Sequence, residues 1–577
     1  MNTQITSRLA MTALGAAAAS ALYVLWQMAE ADILTGRLLL LMSALSASFF
    51  TALLAMAGPL SVLRAALGAG LIAVVVSGLL AVASFGFVSV YDVMDSPHAI
   101  LGAAVLTLVP MPFWIAMQRG DWRDYGTLFG ESWNIVVRAI AAWAFVGLVW
   151  AVIFLSDALL KVVGIDLIER ALDLGPMRWV ITGGVLGLGL AVVQELSDYV
   201  SPYLILRLLR LLLPVVFVVS AVFLLALPVR GVSGLFGQLS FALTLLAMAG
   251  AVATLVTTAV DQDDAQATQS HVLRRLARVL AVMLPVMAGL GAWAVWVRVA
   301  QYGWTPERVF AAEVAVLALG YGVLYAAAAV QGDAWMARVR QANVAMALAL
   351  MALAAFALTP ILSAERMSVN SLMARVQDGR TPVADLDATL LTRWGRPGNE
   401  ALLVLEDRAL QPGQEVLAQR LALARRATVS DNRTEVIADV VALMPLQPPG
   451  AAAIRDMYLE LLDNYRLIAL RDSCERQMPG GGVGCVMVVA DLQPGVPGEE
   501  AVLLDYAPGG YVNFLGFRND AQAGPMMREV LPADAVLPQY EAGADLIRAW
   551  QAAPPAMMPV PMNQLVLPQG GGLMLSP

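Results

Sequence analysis

Eleven long apolar runs, each bounded by charges or turn formers, follow one another over residues 1–362 of the 577-residue chain. A helix needs roughly 20 apolar residues to cross about 30 Å of hydrocarbon at about 1.5 Å per residue. The runs at 9–28, 38–57, 66–90, 98–117, 135–156, 178–196, 204–227, 239–260, 279–299, 309–331 and 344–362 have that length. Their interruptions are those of a chain leaving lipid: Glu30 and Asp32, Gly58-Pro59, and the polar stretches 92–97, 119–124 and 261–264. The first run is too long for the core of a cleavable signal and further runs follow it, so it reads as an uncleaved first helix. Only 14% of the residues are charged, against about 25% in soluble chains. The expected fold class is an all-α polytopic membrane bundle of about eleven transmembrane helices, residues 1–362, with a C-terminal soluble α+β domain at 363–577.

Charge separates these two regions. Residues 1–362 hold 19 acids and 19 bases, so the whole net charge of −8 lies in the tail. An acidic tail argues against nucleic acid as a partner and leaves the lipid bilayer as the certain one. The N-terminal segment and alternate loops carry eleven Arg, against seven Lys or Arg in the opposite loops. By the positive-inside rule this favours a cytoplasmic N-terminus, and eleven crossings then place the tail outside. The expected location is a bacterial inner membrane with a periplasmic C-terminal domain. Lys161, alone beside 35 arginines, reads as composition bias because arginine also fills plain loops.

Several features interrupt the apolar runs. Pro110, Pro112, Pro214 and Pro285 lie inside spans, where a break is either a packed kink or part of a cavity wall. A GxxxG spacing at Gly183 and Gly187 lets two helices approach closely and signals packing. Residues 157–175 show helical periodicity broken by Lys161, Asp166, Glu169, Arg170 and Asp173, the pattern of an amphipathic helix lying in the interface. Arg138, Glu195, Asp198, Arg298 and Glu313 are ionisable groups in or near spans. Such groups mark polar pathways or structural pairs, and most lie near enough to a helix end to snorkel. Arg138 and Glu313 are the least easily explained that way.

The tail reads as mainly helical over 363–472, β-rich over 473–553 with short strand-like runs near 486–489, 501–504 and 511–517, and irregular over 554–577. Its two cysteines, Cys474 and Cys485, are the only ones in the chain and flank a glycine-rich stretch. That turn brings their Cα atoms within the roughly 5.5 Å that a disulfide needs, and an oxidising compartment preserves it. The alternative is two buried thiols in a cytoplasmic tail.

The segment Arg298-Val-Ala-Gln-Tyr302-Gly303-Trp304-Thr305-Pro306-Glu307-Arg308 resembles the R-[IV]-x-x-YG-[LW]-TPER-V signature of a bacterial membrane family known only as domain-of-unknown-function family 4153. Gly320-Tyr321-Gly322, the stretch 367–379 with Arg375, Asp385 and Asp387, and Gly395-Arg-Pro-Gly398 resemble members of the same family. The resemblance implies a polytopic membrane protein and carries no established activity. The signature also has its own physical reading. Thr305 suits the N-cap, Pro306 the first helical position, and Glu307 the positive end of the helix dipole. Tyr302 and Trp304 suit a membrane interface. Arg298 and Arg308 flank this hairpin, where they either stabilise it or bind an anionic lipid head group or substrate.

Known chemistries find little support. The one lysine precedes Val162-Val163, so no Walker A loop exists. His98 and His271 are the only histidines, far apart, which leaves no HExxH and no evident triad. The stretch 231–234 lacks GxSxG spacing. Residues 491–500 depart from a calcium loop at Gln493 and Pro494. No catalytic residue, cofactor or metal ligand is therefore assigned, and the candidate polar residues are Arg138, Arg298, Tyr302, Arg308 and Glu313. The leading expectation is a non-enzymatic envelope sensor, scaffold or assembly factor, with anionic lipid or envelope proteins as candidate partners and the oligomeric state open. A secondary transporter or lipid-handling carrier is the alternative, and an enzyme acting on lipid-linked substrates comes third. A polar cavity at a broken helix would favour the carrier.

Overall fold

A computed structural model of the chain describes residues 2–577 apart from 32, 196–201, 231–238, 430–432, 494–497, 508–509, 521–523, 531–537, 558–564, 567–571 and 574–577. Among the described residues, eleven helices are long and apolar enough to cross a membrane, one for each apolar run. The chain is a multi-pass membrane protein with a mixed sheet in its C-terminal region. Asp198, the stretch 231–234 and part of the 491–500 loop lie outside the described residues.

The helices are α1 (Asn2–Glu30), α2 (Gly36–Met56), α3 (Val62–Ser84), α4 (Tyr91–Asp95), α5 (Pro97–Leu108), α6 (Pro110–Arg119), α7 (Tyr125–Val162), α8 (Leu167–Leu172) and α9 (Met177–Glu195). They continue as α10 (Pro202–Arg210), α11 (Leu213–Arg230), α12 (Leu239–Val260), α13 (His271–Tyr302), α14 (Pro306–Val330) and α15 (Trp335–Ala357). After the last span come α16 (Ala364–Gln377), α17 (Thr389–Arg393) and α18 (Gly395–Ala409). Two of the eleven spans are composite, α5 with α6 and α10 with α11. α5 and α6 meet at Val109, which keeps helical dihedrals and donates to Val105 O at 2.9 Å, so the span runs on through the point where Pro110 and Pro112 withhold an N–H from the ladder. The amphipathic stretch 157–175 is divided: its first part continues α7, and only α8 stands apart. Lys161 bridges the two pieces through Asp157 and Glu169.

The glycine spacing on α9 does what its pattern predicts. A Cβ on Gly183 or Gly187 would lie about 2 Å from the backbone oxygen of Gly15 or Met11 on α1, so only glycine permits this approach. The apolar interior divides into clusters, one built from α12 to α15 with Tyr325 and Trp335 at its heart, another from α2, α3, α5 and α6.

By packing, the chain forms two compact units, residues 1–386 with 390–412 and residues 387–389 with 413–577. The division comes later than the end of the last span, because α16 and α18 are tied by hydrogen bonds to loops of the helical unit. The second unit contains α19 (Glu415–Val429), α20 (Arg433–Leu443), β1 (Leu446–Gln447), α21 (Ala452–Leu459) and α22 (Asn464–Glu475). Then follow β2 (Cys485–Ala490), β3 (Glu500–Tyr506), β4 (Val512–Asp520), β5 (Gly524–Glu529) and α23 (Tyr540–Ala552). The sheet order is β1-β2-β3-β4-β5, with β1 parallel to β2 and the rest antiparallel.

Both faces of this sheet are covered, which is why β2 is an unbroken apolar run rather than an alternating one. Met487, Val489, Leu503 and Phe517 face α20 to α22, and Val486, Leu504 and Val512 face Ala544 and Ile547 of α23. The expected β-rich region thus includes a long helix, α23. A disulfide joins Cys474 at the end of α22 to Cys485 at the start of β2, with Cα atoms 4.8 Å apart. It pins the helical layer to the sheet, as the sequence suggests.

Candidate functional site

Polar side chains inside the helical unit gather in four places. The first is an end of the bundle formed by the close of α3, the start of α5, the α13–α14 turn and α16. Ser363 caps α16 by accepting from the Arg366 N–H at 3.2 Å. From α16, Ser371 Oγ accepts the Trp304 N–H at 3.0 Å, while Arg375 donates to the carbonyls of Ala300 (3.3 Å) and Gln301 (2.6 Å). Arg375 therefore satisfies the carbonyls left open at the C-terminus of α13.

Thr305 caps α14 through the Arg308 N–H, as expected. Arg308 donates to Gly303 O at 2.7 Å, and its guanidinium and that of Arg298 both approach the Tyr302 ring, at 5.6 and 5.3 Å from its centroid. The structure thus brings together Arg298, Tyr302 and Arg308, and adds Arg375 from a segment about seventy residues on. These contacts form a capped hairpin held by cation–π stacking.

The second place is a buried pair. Glu313, one turn further along α14, contacts His98 at the start of α5 rather than Arg308. His98 Nε2 and Glu313 Oε2 are 3.2 Å apart, with side chains only 5% and 13% exposed. The contact has the distance of an ion pair without the alignment of a hydrogen bond. His98 Nδ1 and Glu313 Oε1 are buried with no hydrogen-bond partner among the described residues, and the His98 ring stands edge-on to Phe310. Buried polar atoms are rarely left so.

His98 also lines a cavity of about 260 Å³ with Arg366, Arg396, Glu365 and Glu400. Arg396 holds this wall by donating its N–H to Gly86 O at 2.8 Å and its Nε–H to Phe87 O at 3.3 Å. Gly395 sits there at φ +60°, with Gly86 O so near that any side chain would collide. Sequence reasoning assigned no role to His98; a lone histidine at the mouth of an apolar run carries no motif.

The third place is a cavity of about 590 Å³ beside the fourth span. Val109 and Pro112 line it, with Tyr125, Ser132, Thr254, Thr257, Tyr321 and Asn343 supplying polar groups. Asn343 Nδ2 donates to Tyr125 Oη at 2.8 Å, the Tyr325 hydroxyl donates to Asn343 Oδ1, and Tyr325 and Thr257 hydroxyls lie 2.7 Å apart. This chain of partners runs across α7, α12, α14 and α15. Close by, the fully buried Asp261 pairs with Arg210, while Arg340 donates to the carbonyls of Val260 and Asp261. That cluster fixes the 261–270 loop.

The fourth place is Arg138, buried on α7 and lining an apolar cavity of about 510 Å³ between α1, α2, α7 and α9. Glu195, the other charge noted near that end of α9, pairs with Arg8. Among the described residues, no group of three or more His, Cys, Asp or Glu side chains is placed to hold a metal ion.

No family model, no curated protein and no solved structure matches the chain.

Proposed function

We propose that this membrane protein is a carrier, a secondary transporter or lipid-handling protein that admits its ligand beside the proline-containing fourth span. The observation that carries this reading is a cavity of about 590 Å³ with a largely apolar lining, which includes Pro112 of the fourth span and the polar side chains of Tyr125, Ser132, Thr254, Thr257, Tyr321 and Asn343. Prolines within a span leave the carbonyls four residues back without their ladder donors, and such positions are tolerated where neighbours or a cavity meet them. The volume falls within the roughly 300–1,000 Å³ usual for small-molecule sites. A closed, dry bundle would instead have favoured a pure scaffold.

Cysteine accessibility tests this reading. Cys474 and Cys485 are bridged and no free cysteine is present among the described residues, so Ser132→Cys or Thr254→Cys introduces the one reactive thiol. In native membranes both should react with small water-soluble thiol reagents, and Val218→Cys on the exposed face of α11 should not. If neither reacts faster than Val218→Cys, no water-filled path reaches the cavity and the carrier reading falls.

A second reading, an envelope sensor or scaffold acting through the C-terminal unit, is favoured by that unit's separate core and internal disulfide. The arginine bias of the loops supports an N-terminus in the cytoplasm and a periplasmic C-terminal unit in a bacterial inner membrane. The Arg298 to Arg308 signature supports membership of domain-of-unknown-function family 4153. Its separate segments share structural jobs: Arg375 caps the helix that carries Tyr302.

A further inference from the structure

Among the described residues lining the cavity of about 590 Å³ there is no Asp, Glu, Lys, Arg or His. An ionised ligand entering it would give up its hydration and meet no opposite charge. Most of the polar side chains there are already occupied. Ser132 donates to Leu128 O at 2.7 Å and Thr254 to Gly250 O at 2.9 Å, each within its own helix. Asn343 donates to Tyr125 and accepts from Tyr325. The Tyr321 hydroxyl differs: it makes no hydrogen bond among the described residues and keeps accessible surface, while its ring packs edge-on against Tyr325. Tyrosine hydroxyls in apolar surroundings usually find a partner, so this one offers a donor to whatever fills the cavity.

The rim and length of the cavity suit a molecule that arrives from the bilayer. Leu108 and Val136 line it and are themselves exposed, on apolar helix faces that lipid would cover. Along α7 the lining runs from Tyr125 to Val136, which is roughly 16 Å at helical rise. That is about half of the roughly 30 Å hydrocarbon thickness, the depth of one leaflet. We infer that the cavity binds an uncharged membrane molecule, a hydrocarbon chain bearing a carbonyl group whose oxygen accepts from the Tyr321 hydroxyl. A diacylglycerol and a quinone share that chemistry. The inference deepens the carrier reading by naming the ligand class of its cavity and rests on that reading for its purpose, while its place rests on Tyr321.

The test uses the full-length protein, purified in detergent and stripped of lipid, with bound ligand counted by native mass spectrometry. Dioctanoylglycerol and decylbenzoquinone are the probes, and the tighter of them, which identifies the source as ester lipid or quinone, should saturate at one per chain. It should bind at least roughly tenfold tighter than its anionic counterpart, dioctanoyl phosphatidic acid or decylbenzoquinone sulfonate, which finds no counter-charge in the lining. It should bind about fivefold tighter than its carbonyl-free counterpart, dioctylglycerol ether or decylbenzene, the contribution of one hydrogen bond. Tyr321→Phe loses no hydrogen bond among the described residues, so it should fold, and it should bring the carbonyl and carbonyl-free probes to the same affinity. The site is overturned if neither probe saturates, if the anionic counterpart binds as tightly, or if Tyr321→Phe leaves the carbonyl difference intact. Probe binding together with unreactive Ser132→Cys and Thr254→Cys would remove the carrier reading and leave the site standing, and reactive cysteines without probe binding would do the reverse.

Discussion

His98 and Glu313 form a buried pair whose remaining polar atoms lack partners among the described residues, so each side chain depends on the other. Removing one partner of a buried polar contact leaves the other's atoms unsatisfied, at a cost of about 1–3 kcal/mol. Glu313→Gln and His98→Leu should each lower the melting temperature, and the double variant should lose less than their sum. The expected coupling is about 0.5–3 kcal/mol. Strictly additive losses in a thermal-shift cycle would mean that the two do not interact. Asp505 on β3 offers a pH test in the C-terminal unit. Burial pushes its carboxyl above the ordinary 3.8, against the pull of hydrogen bonds from Asn513 and Ser473. A folded pKa above the unfolded one gives stability that is complete below about 3.8 and lost as pH rises through the folded value. Asp505→Asn buries no charge, so its urea midpoint should change less between pH 4 and pH 7 and exceed the native one at pH 7. An unchanged pH profile would show that Asp505 titrates alike in both states.

At the scale of elements, the α1–α9 contact is the tightest helix approach described above. Gly187→Leu would drive a side chain into the Met11 carbonyl, and overpacking of this kind costs about 1–3 kcal/mol or more. The variant should express poorly and melt lower, whereas Leu186→Met on the same helix should be nearly neutral; normal yield and melting of Gly187→Leu would show that α1 and α9 can separate at no cost. Helices were also the most legible elements in the sequence, since a span announces itself by length and apolarity. Their ends were less so: α7 and α13 run well past their apolar cores, because Tyr125 and His271 start helices through caps at Asp124 and Ser270. The three main strands were visible as buried runs, but two-residue β1 has no period to read. α23 hid inside a β-rich stretch because its buried stripe is narrow, Gly543, Ala544 and Ile547. Among the polar sites, Arg298, Tyr302 and Arg308 were legible because they stand in the segment that resembles a family signature and flank a well-capped hairpin. The partners His98, Arg375 and Asn343 were not, because each reaches its site from a distant segment.

For the molecule as a whole, sidedness is the property that decides function. Reporter fusions after Arg278 and Arg340 should be active in the cytoplasm, and fusions after Asp95 or near Gly450 in the periplasm; a cytoplasmic signal near Gly450 would reverse the proposed orientation of the tail. Alkylation under denaturing, non-reducing conditions should leave Cys474 and Cys485 unlabelled, and full labelling would mean that they are thiols in the cell. The bonds from α16 and Arg396 carry one more consequence, which concerns time. A ribosome delivers the α3–α5 loop and the α13–α14 turn long before residues 371, 375 and 396 emerge. Until then the Trp304 N–H and the carbonyls of Gly86, Ala300 and Gln301 await their eventual partners. The helical unit is finished by a segment made after its last span, so a nascent chain halted at residue 362 is an unfinished product open to quality control, however many of its helices are already in the bilayer.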